Sequence, residues 1–418
     1  MTSIYRSTRS VLLAGMLLII TNTVFAGETA LTDLIGDTPL IDGHNDIPWS
    51  MRLRVSNRIE KLDLGSDLSA LARPTHTDIP RLQRGGMGAQ FWSVYVPVNA
   101  LGGDPVDVSL VLDQIDLVHR LTERYDALEM AYTAADIERI HARGRIASLI
   151  GVEGGHAINN SLANLRMLFK LGARYMTLTH SKSLLWAESS NGDGPVRGLS
   201  EFGKAVVREM NRMGMLVDLS HVSPQTMHDA LDVAQAPVIF SHSSAYAVTA
   251  HTRNVPDDVL RRVAINGGVV MVTFFPWYVS DPVRLHQQTR AQYTESLRGQ
   301  YADEAVIEAA LATWDDEHEA PRPTLEQVAD HIDHIRRMAG IRHIGIGSDF
   351  DGMPPGPIGL EDVSTYPALF SELKKRGYST DELKAIAGEN VLRVMRANEQ
   401  TAARLQRHLE PSEIMITD

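Results

Sequence analysis

The chain has 418 residues, with 40 Lys and Arg against 52 Asp and Glu, 16 His, no Cys, 44% hydrophobic and 22% charged residues. A formal charge of -12 excludes a protein built to neutralise nucleic-acid phosphates, which requires a basic face. Without cysteine there is no disulfide, no thiolate nucleophile and no cysteine-ligated metal, so any metal must rest on imidazoles and carboxylates.

In chain order, residues 1–26 come first: Arg6 and Arg9, an apolar run from Val11 to Ile20, then Val24-Phe25-Ala26 ahead of a polar stretch. That is the layout of a secretory signal peptide, with cleavage expected after Ala26. The run is shorter than the ~18–20 residues of a membrane-spanning helix. The C-terminal residues lack the apolar tail of a lipid-anchor signal. The expected product is an exported protein, periplasmic or secreted, with no integral membrane anchor and one catalytic domain over residues 27–418.

Eight short apolar runs rich in β-branched residues follow, at 39–46, 89–97, 146–154, 173–180, 214–221, 236–244, 267–275 and 343–352. Helical periodicity fills gaps between them; Phe202, Ala205, Val206, Glu209 and Met210 are one such set. Repeated βα units predict an α/β fold with a parallel sheet, and eight of them predict a closed (β/α)8 TIM-type barrel. The charged stretch 280–323 breaks the rhythm and predicts a helical insertion, either a lid over the barrel mouth or a solvated helix pair.

Six of the eight runs end in residues that bind metals or move protons: His44 with Asp46, Glu153, His180, His221, His242 and Asp349. In a barrel of this type the C-terminal strand ends converge on one mouth, where catalytic groups gather. Any one of these residues is ordinarily a satisfied buried polar group; seven at strand ends predict a single site. His44 and Asp46, two apart on a strand, share a side and reach one cation. Glu153 lies among Gly151, Gly154 and Gly155, and its two oxygens suit it to bridge a pair of divalent ions. His221 and His242 end consecutive runs as neutral imidazole ligands. His180 is either a third ligand or a donor to developing oxyanion charge. Arg253, ahead of a helix start, either clamps a substrate carboxylate or makes a surface salt bridge. Asp349 is the candidate general base or acid.

Other polar groups receive plainer readings. Asp42 and Asn45 face away from the His44 side and are structural, and Asp351 caps a turn. The His331-x-x-His334 pair lies in a helix leading into the eighth run, facing the end of the barrel opposite the mouth, and is not read as a metal motif. No G-x-S-x-G nucleophile elbow is present.

The segments Asp42-Gly43-His44-Asn45-Asp46, Val152-Glu153-Gly154-Gly155-His156, Leu178-Thr179-His180-Ser181, Ile239-Phe240-Ser241-His242-Ser243-Ser244, Arg253-Asn254-Val255-Pro256-Asp257-Asp258 and Gly345-Ile346-Gly347-Ser348-Asp349-Phe350-Asp351-Gly352 resemble, in this order, the membrane dipeptidase family, also called renal dipeptidases. The resemblance runs from about Asp42 to Arg393. It implies a metallo-dependent hydrolase barrel with two zinc ions per chain that hydrolyses dipeptides, often with a D-residue at the C-terminal position, some members also opening β-lactam rings. His44 and Asp46 would hold one zinc, His221 and His242 the other, with Glu153 between them. His180 and Arg253 would bind substrate, and Asp349 would carry the proton. The absence of cysteine and of a lipid-anchor tail departs from the mammalian members and leaves a homodimer open, without a disulfide. The expected protein is therefore a binuclear zinc dipeptidase whose partners are small peptides. The alternatives are a metal-dependent hydrolase of another amide, lactone, β-lactam or phosphoester, and an exported metal-binding protein without turnover.

Overall fold

The computed structural model describes residues 30–98, 108–192, 194–195 and 197–416; the expected signal peptide, 1–26, lies outside them. Nine strands alternate with helices: β1 Leu40–Asn45, β2 Met87–Ser93, β3 Leu128–Met130, β4 Ile146–Val152, β5 Ala173–Thr177, β6 Leu216–Asp218, β7 Ile239–Phe240, β8 Val269–Val272 and β9 Ile344–Ile346. Every strand pairing is parallel. The sheet runs β2-β1-β9-β8-β7-β6-β5-β4, and a β2–β4 pairing closes it into an eight-stranded barrel. Each of the eight apolar runs supplies one barrel strand.

β3 is the strand the sequence does not announce. It pairs only with Ile146–Ser148, the first three residues of β4, while β5 takes the later residues Ile150–Val152. Three residues with Glu129 in the middle make no apolar run, so the pattern that reveals the other strands is missing. The barrel strands are also shorter than the runs. The chain leaves the sheet one to three residues before Asp46, Glu153, His180, His221, His242 and Asp349, and among the seven only His44 lies within a strand.

Parallel strands covered on both faces bury alternate side chains in two directions. Ile41, Ala89, Phe91, Ala147, Leu149, Tyr175, Leu216, Ile239, Val269 and Met271 form the cluster inside the barrel. Their neighbours Leu40, Trp92, Ile150, Met176, Val270 and Val272 belong to a larger cluster that includes helix side chains. Val391, Leu392, Val394 and Met395 of the helix Asn390–Leu405 join the interior cluster. One glycine makes room for the site: a Cβ on Gly151 would stand 2.0 Å from Tyr175 Cζ, so only glycine lets that ring extend toward His44.

Residues 281–317 form two helices, Asp281–Arg298 and Glu304–Glu317. Arg290 pairs with Asp315 across them at 2.7 Å, and their buried residues are few, Val283 and Leu297 on one and Ile307 on the other. Among the described residues no helix is long and apolar enough to cross a membrane.

Candidate metal centre

The strand ends bring four imidazoles around one carboxylate oxygen. Glu153 Oε1 lies 3.0 Å from His221 Nε2, 3.5 Å from His44 Nε2, 3.5 Å from His242 Nε2 and 3.6 Å from His180 Nε2. Its other oxygen accepts from Ser93 Oγ at 3.1 Å. His44 Nε2 is also 3.3 Å from Asp46 Oδ2, and His221 Nε2 and His242 Nε2 face each other at 2.9 Å. Asp349 completes the group, with one ligand atom each of His44, Asp46 and Asp349 within 4.8 Å of one another.

Long-range contacts hold these ends in place. Asp42 Oδ1 accepts from the backbone N–H of Ser348 at 2.8 Å and of His44 at 3.2 Å, while Oδ2 accepts from Ser348 Oγ at 2.5 Å and from the Tyr366 hydroxyl. It therefore ties the end of β1 to the turn carrying Asp349. His221 and Asp349 adopt left-handed backbone conformations, φ 67 and 73, which non-glycine residues seldom take up and which cluster at functional sites. Asn45 bonds Thr77 and the Ile47 N–H. Among the described residues, Asp351 is seen to cap a distant loop: its Oδ1 accepts from the His76 backbone N–H at 3.0 Å.

The electrostatics of the bare polypeptide are those of a cation site. Burial opposes ionisation of Glu153, but the imidazoles of His44, His180 and His221 outweigh it and hold the carboxyl well below its ordinary range. Burial, reinforced by Arg253 and neighbouring imidazoles, pushes His221 and His242 well down, so both rings are neutral with a lone pair to offer. Burial opposes protonation of His44, yet Tyr175, Glu153 and Asp46 raise it well above the ordinary imidazole value. Burial drives Asp349 well up, opposed by His44 and helped by Asp46 and Glu153. His44 Nε2 is buried without a hydrogen-bond partner. Ligand atoms ~2.0–2.1 Å from a tetrahedral cation lie roughly 3.3 Å apart, and the 2.9 to 3.6 Å separations here bracket that value. The donor set fits divalent metal.

A cavity of about 580 Å³ opens above the cluster, with Trp49 and Tyr95 on its wall together with Phe275, Trp277 and Tyr278. Sequence reasoning missed these rings, although the seventh run itself ends in Phe274-Phe275 and Pro276-Trp277-Tyr278 directly follows it. None of the described residues of 280–323 lines this cavity. Arg253 reaches it as a buried side chain, 5% exposed, so a surface salt bridge is not its role. Its guanidinium lies 5.2 Å from the Tyr278 ring centroid and bonds Ser243 Oγ at 3.4 Å and the His242 carbonyl at 3.3 Å. Its Nε is buried without a partner, and among the described residues no carboxylate pairs with it.

The helix Leu325–Ala339 supports the loop that carries Arg253, which corrects the placement read from sequence for His331. His331 Nδ1 accepts from the Ala245 backbone N–H at 3.0 Å, and His334 bonds Asp257 at 2.7 Å. Burial lowers His331 to about 4. In the unfolded chain the ring returns to about 6.5. As pH falls from about 6.5 toward about 4, the unfolded state takes up a proton the folded state refuses, so stability is full above this window and declines through it, by at most about 1.4 kcal/mol per pH unit for this one group. Urea unfolding of chelator-treated protein should therefore show a shallower acid-side loss in His331→Gln, which keeps an acceptor for Ala245; an unchanged slope would contradict this assignment.

A closed parallel barrel with imidazoles and carboxylates gathered beyond its strand ends is the architecture of metal-dependent hydrolases. Residues 29–409 match the model of the membrane dipeptidases, peptidase family M19, and the chain belongs to that family of metallodipeptidases. It is 43% identical over 383 residues to dipeptidase verJ of Clonostachys rogersoniana, covering 89% of this chain and 87% of that relative. The crystal structure of dipeptidase AC, a family M19 metallopeptidase, superposes with a TM-score of 0.70 at 25% identity, over 87% of this chain and 99% of that one. A metallopeptidase from Rhodobacter sphaeroides, solved with a phosphinate mimic of the dipeptide L-Ala-D-Ala, shares the fold at TM-score 0.69 and 24% identity, over 86% of this chain and 99% of that one.

Proposed function

We propose that this metallodipeptidase is a binuclear zinc enzyme that cleaves the peptide bond of dipeptides, including those with a C-terminal D-residue. The observation that carries the reading is the position of Glu153 Oε1, within 3.6 Å of four imidazole nitrogens. His44 and Asp46 would hold one ion, His221 and His242 the other, and Glu153 both. When bound, such a pair polarises a carbonyl and brings a water's pKa close to neutral.

The chain's own residues do the rest. Arg253, with its unpartnered Nε, receives the substrate's C-terminal carboxylate, a charge-assisted contact that favours a guanidinium. His180, at the cavity wall beside Glu153, donates toward the oxygen on which charge develops. An Asp349 carboxylate oxygen takes the proton from the attacking water and passes it to the leaving amine. Gripping both free ends would restrict turnover to two-residue substrates. Residues 1–26 would direct export and be removed, leaving the enzyme periplasmic or secreted.

A panel of L,L and L,D dipeptides tests this directly. Hydrolysis should vanish with a strong chelator and return with zinc, with metal analysis reading two ions per chain. Turnover that persists in metal-free protein, or one ion at full activity, would sink the reading.

A further inference from the structure

Behind His242 the protons can be counted. Asp218, fully buried at the end of β6, accepts on Oδ1 from the backbone N–H of Ser220 at 3.1 Å and of Ser241 at 2.8 Å. On Oδ2 it accepts from Thr177 Oγ1 and Ser241 Oγ, each at 2.6 Å. Four donors on one carboxylate fill its lone-pair directions. Ser241 has a single hydroxyl proton, and the 2.6 Å contact to Asp218 is far shorter than the 3.5 Å to Ser220 Oγ. The proton therefore lies toward the carboxylate, and Ser241 Oγ can only accept in its 2.8 Å contact with His242 Nδ1. That contact requires a hydrogen on Nδ1, which leaves Nε2 with its lone pair. Nε2 is the atom facing His221 and Glu153, at 2.9 and 3.5 Å.

We propose that Ser241, oriented by Asp218, is a positioning residue that fixes His242 as the Nδ1–H tautomer and holds its Nε2 lone pair toward one of the two metal positions. The opposite tautomer would aim an N–H at the cation, and groups behind a ligating imidazole set both its tautomer and its orientation. The inference rests on the reading of His221 and His242 as ligands.

Zinc titration of the full chain against a competing chelator tests it with two variants. Ser241→Ala and Thr177→Ala each remove one 2.6 Å hydroxyl donor from Asp218, but only the first removes the acceptor of the His242 proton. Ser241→Ala should bind one of its two zinc ions about 10- to 100-fold more weakly, the usual effect of losing such an outer partner, and Thr177→Ala should bind both as wild type does. Wild-type affinity in Ser241→Ala, or equal weakening in both variants, overturns the proposal. Fewer than two ions on the wild type would overturn the ligand reading instead. If Ser241→Ala does not fold, 15N spectra of labelled histidine in the metal-free wild type decide: His242 should carry its hydrogen on Nδ1, and a hydrogen on Nε2 refutes the inference.

Discussion

Glu153→Gln should lower kcat for dipeptides by roughly 10³-fold or more and reduce the zinc content below two ions per chain. The magnitude follows from comparison: loss of a group that merely supports a ligand costs about 10- to 100-fold in metal affinity or activity, and Glu153 is the contact shared by both proposed ions. Glutamine keeps the size and the approach to Ser93, so packing is nearly unchanged. It removes the negative charge that would face both proposed ions, and its amide places an N–H where an oxygen lone pair is needed. Metal analysis and steady-state kinetics on the folded variant read both effects. A variant holding two ions and turning over within tenfold of wild type would refute the bridging role and with it the proposed centre.

The barrel could be read in advance for a specific reason. Strands of a parallel sheet are covered on both faces and appear as unbroken apolar runs, so a run that stops at Glu153 or His242 marks both a strand and the edge of the mouth. What the runs conceal is where hydrogen bonding stops. β7 is two residues long, Ile239–Phe240, although the run around it is nine, because sequence alone does not separate the flanking residues 236–238 and 241–244 from the paired strand. The outer contacts were illegible for a different reason: Asp42 meets Ser348, and Asp218 meets Thr177 and Ser241, only after the barrel closes. Asp42 was legible as structural, but its partner was not. His331 shows the same limit, since a helical position says nothing about which loop the side chain will reach. The aromatic wall left a trace in Phe275, Trp277 and Tyr278, but adjacent rings after a strand are indistinguishable in sequence from ordinary core.

Asp349→Asn separates proton transfer from metal binding. The substitution is close to isosteric, and asparagine tolerates the left-handed backbone that Asp349 occupies at φ 73, so the turn that Asp42 anchors through Ser348 should form unchanged. A carboxamide neither accepts a proton from water nor delivers one to an amine. General acid–base assistance of this kind contributes about 10²- to 10⁴-fold, and kcat should fall by that amount with little change in KM. Zinc content should remain at two ions, because His44, Asp46, Glu153, His221 and His242 are untouched. The alternative has a structural basis, since ligand atoms of Asp349, His44 and Asp46 lie within 4.8 Å of one another. If Asp349 were itself a ligand, zinc would be lost in step with activity. Near-normal turnover in the variant would exclude both roles and move the proton to another group at the mouth.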